Sequence, residues 1–474
     1  MRGAPRTDRG RTARPVLIAV IAAGIAVAGA GTAGAAEPAA GGQAAPAVGR
    51  AAPAVGQAAP AAGQAAPAVG RAAPAVGQAA PAAQVAPAAG RAAPAAVPAQ
   101  APPPGAIPVG CGNAPPDLAA AIAAAPPNAT VTVCPGTYPG GITLTKPITL
   151  LGARVGVDAR TGRTDLRAES VVDGRGGSGF TVAAGVSNVR IDGFTISNPT
   201  QSTATTGGVL AVGRGSGITI TNNVVTRFSF GVNMNSNGQI ASSVTRNRFA
   251  ENNGAGGQAG VFLSSGPANN LTISDNLFSG HDGNAAAAVN TAGDPANPST
   301  GLRIERNQSI DDATFAVVTN ADGTVVANNQ VVRRPTATTA VGTGILVGGA
   351  TRNVAITGNV LTGGAKNGIS VGQAFSAVKN TGLLVGTNTV VGRLNGIRFE
   401  DQTSGTIRGN TVAQGTGTGI LLEGANSGVT VTGNRSFQNA VSDCSDQSRG
   451  SGTAGTWTGN LGLRSTPPGL CRLF

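Results

Sequence analysis

From about residue 109 to the C-terminus, short apolar runs alternate with polar residues and are separated by Gly, Asn and Thr. Alternation with a period of two marks half-buried strands, and the units between these separators are too short for helices. The phrase apolar-x-x-Asn returns ten times: Ile220 with Asn223, Val244 with Asn247, Ile273 with Asn276, Ile304 with Asn307, Val326 with Asn329, Ile356 with Asn359, Val385 with Asn388, Ile407 with Asn410, Val431 with Asn434, and Trp457 with Asn460. The intervals run from 22 to 31 residues. Repeats of this length indicate a solenoid or a propeller, and the absence of a Trp-Asp blade signature favours a β-solenoid. Each residue should then lie over its equivalent in the next coil, about 4.8 Å away. Asparagine suits a bend repeated in every coil, because it tolerates left-handed backbone and its amide can bond to neighbouring backbone. Stacked copies are expected to form a ladder.

The run AIAAAPPNATVTVCPGTYPGGITLTKPITLLGA (121–153), the repeated ITGN and NGI phrases, and the closing GNLGLRSTPPGLC resemble the secreted right-handed parallel β-helix repeat proteins of the pectin-lyase-like superfamily. The resemblance covers residues 109–474 and implies an all-β, single-stranded parallel β-helix of about ten or more coils. It also implies a short N-terminal capping helix at Asp117–Ala125, whose start is marked by Pro115, Pro116 and Asp117. Residues 441–474 would cover the last coil, since an open solenoid end exposes sheet edge and core.

The first 108 residues change the picture from fold to address. Arg2, Arg6, Arg9, Arg11 and Arg14 precede an apolar stretch from Val16 to about Gly29 and the small-residue sequence Ala33-Gly34-Ala35, which reads as a secretory signal peptide over residues 1–35. An uncleaved membrane anchor is the alternative. Residues 36–108 repeat AAPAVGQ or AAPAVGR, with Pro46, Pro53, Pro60, Pro67, Pro74 and Pro81 seven apart. A proline in every unit excludes a coiled coil, so this segment is expected to be a partly extended linker. After export and cleavage no membrane association is expected; the protein would be extracellular, in free or cell-wall-associated form.

Of the net charge of +12, the first 35 residues carry +4 and the linker +2, leaving +6 scattered over 366 residues. That excludes a basic stripe for nucleic acid. The four cysteines lie at the two ends of the repeat region, and an even count in an exported chain points to structural disulfides, Cys111 with Cys134 and Cys444 with Cys471.

Candidate chemistry is sparse. One histidine, His281, and one internal methionine, Met234, give no copper ligand set. His281 in a GHDG turn is expected to be a solvated loop residue, and no GxSxG accompanies it for a serine triad. Asp311-Asp312 resembles the paired aspartates of polygalacturonases without their third aspartate and GHG. Arg333-Arg334-Pro335 resembles the RxPxxR of pectate lyases, but Thr338 replaces the second Arg. Tyr138 and Trp457 sit near opposite ends, so no central aromatic row is expected.

Strand alternation predicts two outward columns on one face: Asn233, Phe262, Ala288, Val318, Leu346, Ser370, Arg398 and Leu421, and beside it Asn235, Ser264, Asn290, Asn320, Gly348, Gly372, Glu400 and Glu423. A shallow groove centred on Gly348 and Gly372 is the expected site, with Asn290, Asn320, Ser370, Arg398, Glu400 and Glu423 as binding residues. Glu400, Arg398, Asp311 and Asp312 are the catalytic candidates. Glu400 and Glu423 should sit on adjacent coils, their repulsion relieved by Arg398 or by a Ca²⁺ held together with Asp401, the one cofactor weighed. Two functions stay open: non-catalytic binding of a polysaccharide or cell-envelope glycan, and a lyase or glycoside hydrolase acting on acidic polysaccharide. The oligomeric state is left open.

Overall fold

The computed structural model describes residues 103–474 except 115, 164, 201–204, 255–257, 265, 284–285, 335–341, 365, 373–377, 449–454 and 474. The expected signal peptide, the linker up to residue 102, and Pro335 and Thr338 lie outside the described residues.

Short alternating strands joined by tight turns leave every strand one neighbour on each side, and the chain meets that need by winding as a parallel β-solenoid of about 12 turns. A coil visits three sheets in turn. Sheet A has 14 strands, from Ile107–Val109 to Gly455–Thr458; sheet B has 12, from Gly136–Pro139 to Arg435–Phe437; sheet C has 13, from Ile142–Leu144 to Ser465–Thr466. Every ladder in them is parallel, as in the run Ile191, Ile220, Val244 and Ile273. These four side chains are fully buried, and the same position continues through Ile304, Val326, Ile356, Val385, Ile407 and Val431. Burial of one such side chain contributes about 1.5–3 kcal/mol, so the stacked interior carries the fold.

The asparagine ladder occupies the turn between sheets A and B. Its ten members, Asn223 to Asn460 in the phrases above, are at most 1% exposed. Each Nδ2 up to Asn434 donates to Oδ1 of the next member at 2.9–3.2 Å. Nδ2 of Asn359 also donates to Val326 O of the preceding coil, and its backbone N to Asn388 Oδ1. Both amide protons and the amide oxygen are therefore satisfied by the repeat itself. One expected reason for asparagine is corrected: the left-handed residue is the one before it. Asn222, Arg246, Asp275, Arg306, Asn328, Gly358 and Thr387 have φ of 52–64°. The ladder residues are chosen for their amide and not for backbone tolerance.

The ends are closed as the termini require. The helix Leu118–Ala124 is capped by Asp117, whose side chain accepts from Ala120 N at 2.9 Å, and it buries Leu118 and Ile122 over the first coil. Cys111 is joined to Cys134 and Cys444 to Cys471. Trp457 Nε1 donates to Asp446 Oδ2 at 3.1 Å in the last coils.

Candidate functional site

On the outer surface of sheet C, as on those of sheets A and B, side-chain type changes at nearly every coil. The register places Leu210, Asn233, Phe262, Asn290, Val317, Leu346, Ser370, Arg398, Leu421 and Ser445 in one column. Of the eight coils in the expected columns, six are placed correctly and two slip. Asn290 belongs to the first column, not the second, and Val317, not Val318, faces outward; Val318 is fully buried. The cause is local. A glycine precedes the inward apolar residue in most coils, at Gly231, Gly260, Gly344, Gly368, Gly396 and Gly419, but Ala288 and Phe315 fill that place in the two slipped coils. Asn320 is not in either column. It lies past the strand with φ 50°, its Oδ1 accepting from Ala350 N at 3.2 Å and its Nδ2 donating to Gly293 O, so it braces a turn.

At the C-terminal end of this face, Glu400 and Glu423 are direct register partners, as expected. Arg398 lies between them: its Nη2 is 3.0 Å from Glu400 Oε2, its Nε donates to Glu423 Oε1, and its Nη1 reaches Ser370 Oγ at 3.5 Å. One guanidinium thus bridges three coils and compensates both carboxylates. The three side chains remain 22–38% exposed to solvent. The bare backbone at Gly372 gives Glu400 its position, since a Cβ there would stand 3.1 Å from Oε2. Asp401 turns away from the pair, with φ 55° and its Oδ1 accepting from Ala425 N. No group of three or more His, Cys, Asp or Glu arranged to hold a metal ion occurs among the described residues.

Toward the N-terminal end the same column carries Phe262, which stacks on Phe230 of the preceding coil with centroids 4.5 Å apart and planes 10° from parallel. Asn233 and Asn290 flank Phe262 in register, and Ser264 Oγ donates to Asn233 Oδ1 at 2.8 Å. Phe262 faces outward as the expected column places it; its stack on the largely buried Phe230 makes an aromatic platform bordered by amides, although no central aromatic row was expected.

The remaining candidates separate. Asp311 (φ 59°) accepts from Arg334 N at 2.8 Å and from its guanidinium; burial pushes its carboxyl up, but these bonds outweigh it and hold the pKa below the ordinary value. Asp312 is buried, its Oδ1 taking His281 N at 2.9 Å and lying 2.7 Å from His281 Nδ1, while Oδ2 accepts from Ser309 Oγ at 2.6 Å. The two aspartates thus serve different partners and do not form a carboxylate pair. His281 is fully buried and its Nε2 faces Asn252 Nδ2 at 3.2 Å, which corrects the expectation of a solvated loop. Ser309 bonds the aspartate and not the imidazole, so the trio is not a nucleophile with its base.

One family model agrees with this architecture. The family described as "Right handed beta helix region" matches residues 146–308, and that described as "Periplasmic copper-binding protein (NosD)" matches residues 289–460. Similar solved structures include the mannuronan C-5 epimerase AlgE6 A-module of Azotobacter vinelandii (15% identity, 73% of this chain and 94% of that one, TM-score 0.41). They also include the tailspike protein of E. coli bacteriophage HK620 (14%, 71% and 60%, 0.43) and the catalytic unit of a GH87 α-1,3-glucanase from Streptomyces thermodiastaticus (15%, 78% and 71%, 0.45). No curated protein matches the sequence. The chain is a right-handed parallel β-helix repeat protein. Copper does not fit the residues present: His281 is enclosed by Asp312 and Asn252, Met234 is in the core, and the four cysteines are disulfide-bonded.

Proposed function

We propose that this protein binds an extended polysaccharide along the outer face of sheet C without cleaving it. The observation that carries the reading is the continuity of one outward column from an aromatic platform at Phe262 to the Glu400, Arg398 and Glu423 cluster. Five coil steps, about 24 Å, separate Phe262 from Arg398. Aromatic faces take the apolar faces of sugar rings, while amides, carboxylates and a guanidinium take hydroxyls. Between them the column passes through the partly exposed Asn290, Val317 and Leu346 to Ser370, which is 2% exposed and buried together with Gly348 and Gly372, so the polymer would contact the exposed members on either side. The arginine engaged with both carboxylates supports binding over catalysis, because neither acid stands free beside a second, unpaired one.

The two disulfides suit an oxidising compartment outside the cytoplasm. In this reading residues 1–35 direct export and residues 36–108 space the solenoid from an envelope or wall. A glycan array on the full chain tests the proposal, followed by an ultraviolet assay for unsaturated uronate on each bound polymer. Binding without product is expected. Product release from a bound polymer would make the protein a lyase, and an array without any binding would remove the function.

A further inference from the structure

The turn between sheets B and C holds a second buried column, unlike the asparagine ladder in composition. Two residues past the sheet B strands stand Asn252, His281 and Asp312 in successive coils, and Arg393 further along. Arg393 is 2% exposed, and its Nε and Nη2 have no hydrogen-bond partner among the described residues. The neighbouring coil passes over it at Gly364 (φ 106°), where a Cβ would lie 2.6 Å from Nη1, so only glycine leaves the guanidinium its room. Arg333, 6% exposed, is a second buried guanidinium close by. Burial, and after it the charge of Arg333, pulls the Arg393 pKa down to about 10, which still leaves a cation at neutral pH.

No carboxylate among the described residues pairs with that charge. Asp312 is engaged by His281 and Ser309 through its carboxylate and by Arg333 Nη1 through its carbonyl at 2.9 Å, and Asp311 is held by Arg334. A buried cation with idle donors beside another cation is strongly unfavourable unless a counter-charge joins them. We infer that this turn binds a small inorganic anion, chloride or phosphate, at Nε and Nη2 of Arg393, with Arg333 supplying the second positive charge.

The full chain, dialysed into sodium gluconate, is titrated calorimetrically with sodium chloride and with sodium phosphate at constant ionic strength. Saturable binding of one of them is expected, weakened about tenfold or more in Arg393→Met and unchanged in Arg408→Gln, an exposed arginine on sheet A. No heat with either anion, or the same isotherm in Arg393→Met, overturns the inference. If Arg393→Met does not fold, wild-type melting decides: a Tm that rises saturably with either anion over gluconate supports the site, and a Tm indifferent to both removes it.

Discussion

The asparagine ladder and the outer column of sheet C are both stacks of register-equivalent residues, yet one is uniform and buried and the other varied and partly exposed. In the ladder each amide is satisfied by its own copies, so the residue cannot change in one coil without stranding donors and acceptors in two others. On sheet C the contacts across coils differ from coil to coil, as with Phe230 and Phe262 or Arg398 with Ser370 and Glu423, and no single residue type is required at every step. Sameness from coil to coil marks what builds the solenoid, and change from coil to coil marks the outward surface, where the proposed binding face lies.

Both columns depend on closed ends, so the largest effect should come from reduction of the two disulfides. Their loops, with sequence separations of 23 and 27, contribute roughly 3 kcal/mol each on the chain-entropy model. Melting with and without reductant should show a fall of many degrees while the circular dichroism of the folded state stays β-rich. Asn359→Ala comes next. It should destabilise by about 1–3 kcal/mol in chemical denaturation while leaving any glycan affinity per folded molecule unchanged; lost affinity at full stability would erase the distinction between the columns. Phe262→Ala should do the reverse, weakening polysaccharide binding by about tenfold for a lost stacking contact of 1–1.5 kcal/mol, with the larger change in affinity and not in melting. The smallest effect concerns pH. For Asp158, Asp275 and Asp311, burial raises the carboxyl pKa but arginine partners Arg160, Arg306 and Arg334 outweigh it, so the folded values lie below the unfolded ones. Their stabilisation is complete above the unfolded value, about pH 4, and is lost as pH falls through the folded values. Acid melts should show that loss, diminished by added salt because these pairs are partly exposed.

The ladder was legible in the sequence because its period is written in one residue type at one spacing from an apolar partner. The sheet C columns were legible wherever glycine marks the start of the inward pair, and they slipped where Ala288 and Phe315 erase the mark. Glu400 and Glu423 were placed correctly because Gly396 and Gly419 stand just before the inward Ile397 and Ile420. His281 was misjudged for a different reason. Its environment is made by Asn252 and Asp312, 29 and 31 residues away, and only an alignment of the turn between sheets B and C shows that these fall in one buried column. The aromatic platform needed the same long-range register, since Phe230 and Phe262 meet across coils and not along the chain.

The most direct test of the binding face is quantitative affinity for whichever polymer a glycan array selects, compared among wild type, Phe262→Ala and the double variant Glu400→Gln with Glu423→Gln. Weakened binding in both variants, at unchanged folding and without polymer cleavage by the wild type, is the predicted result. Affinity equal to wild type in both would contradict the assignment of sheet C as the binding face.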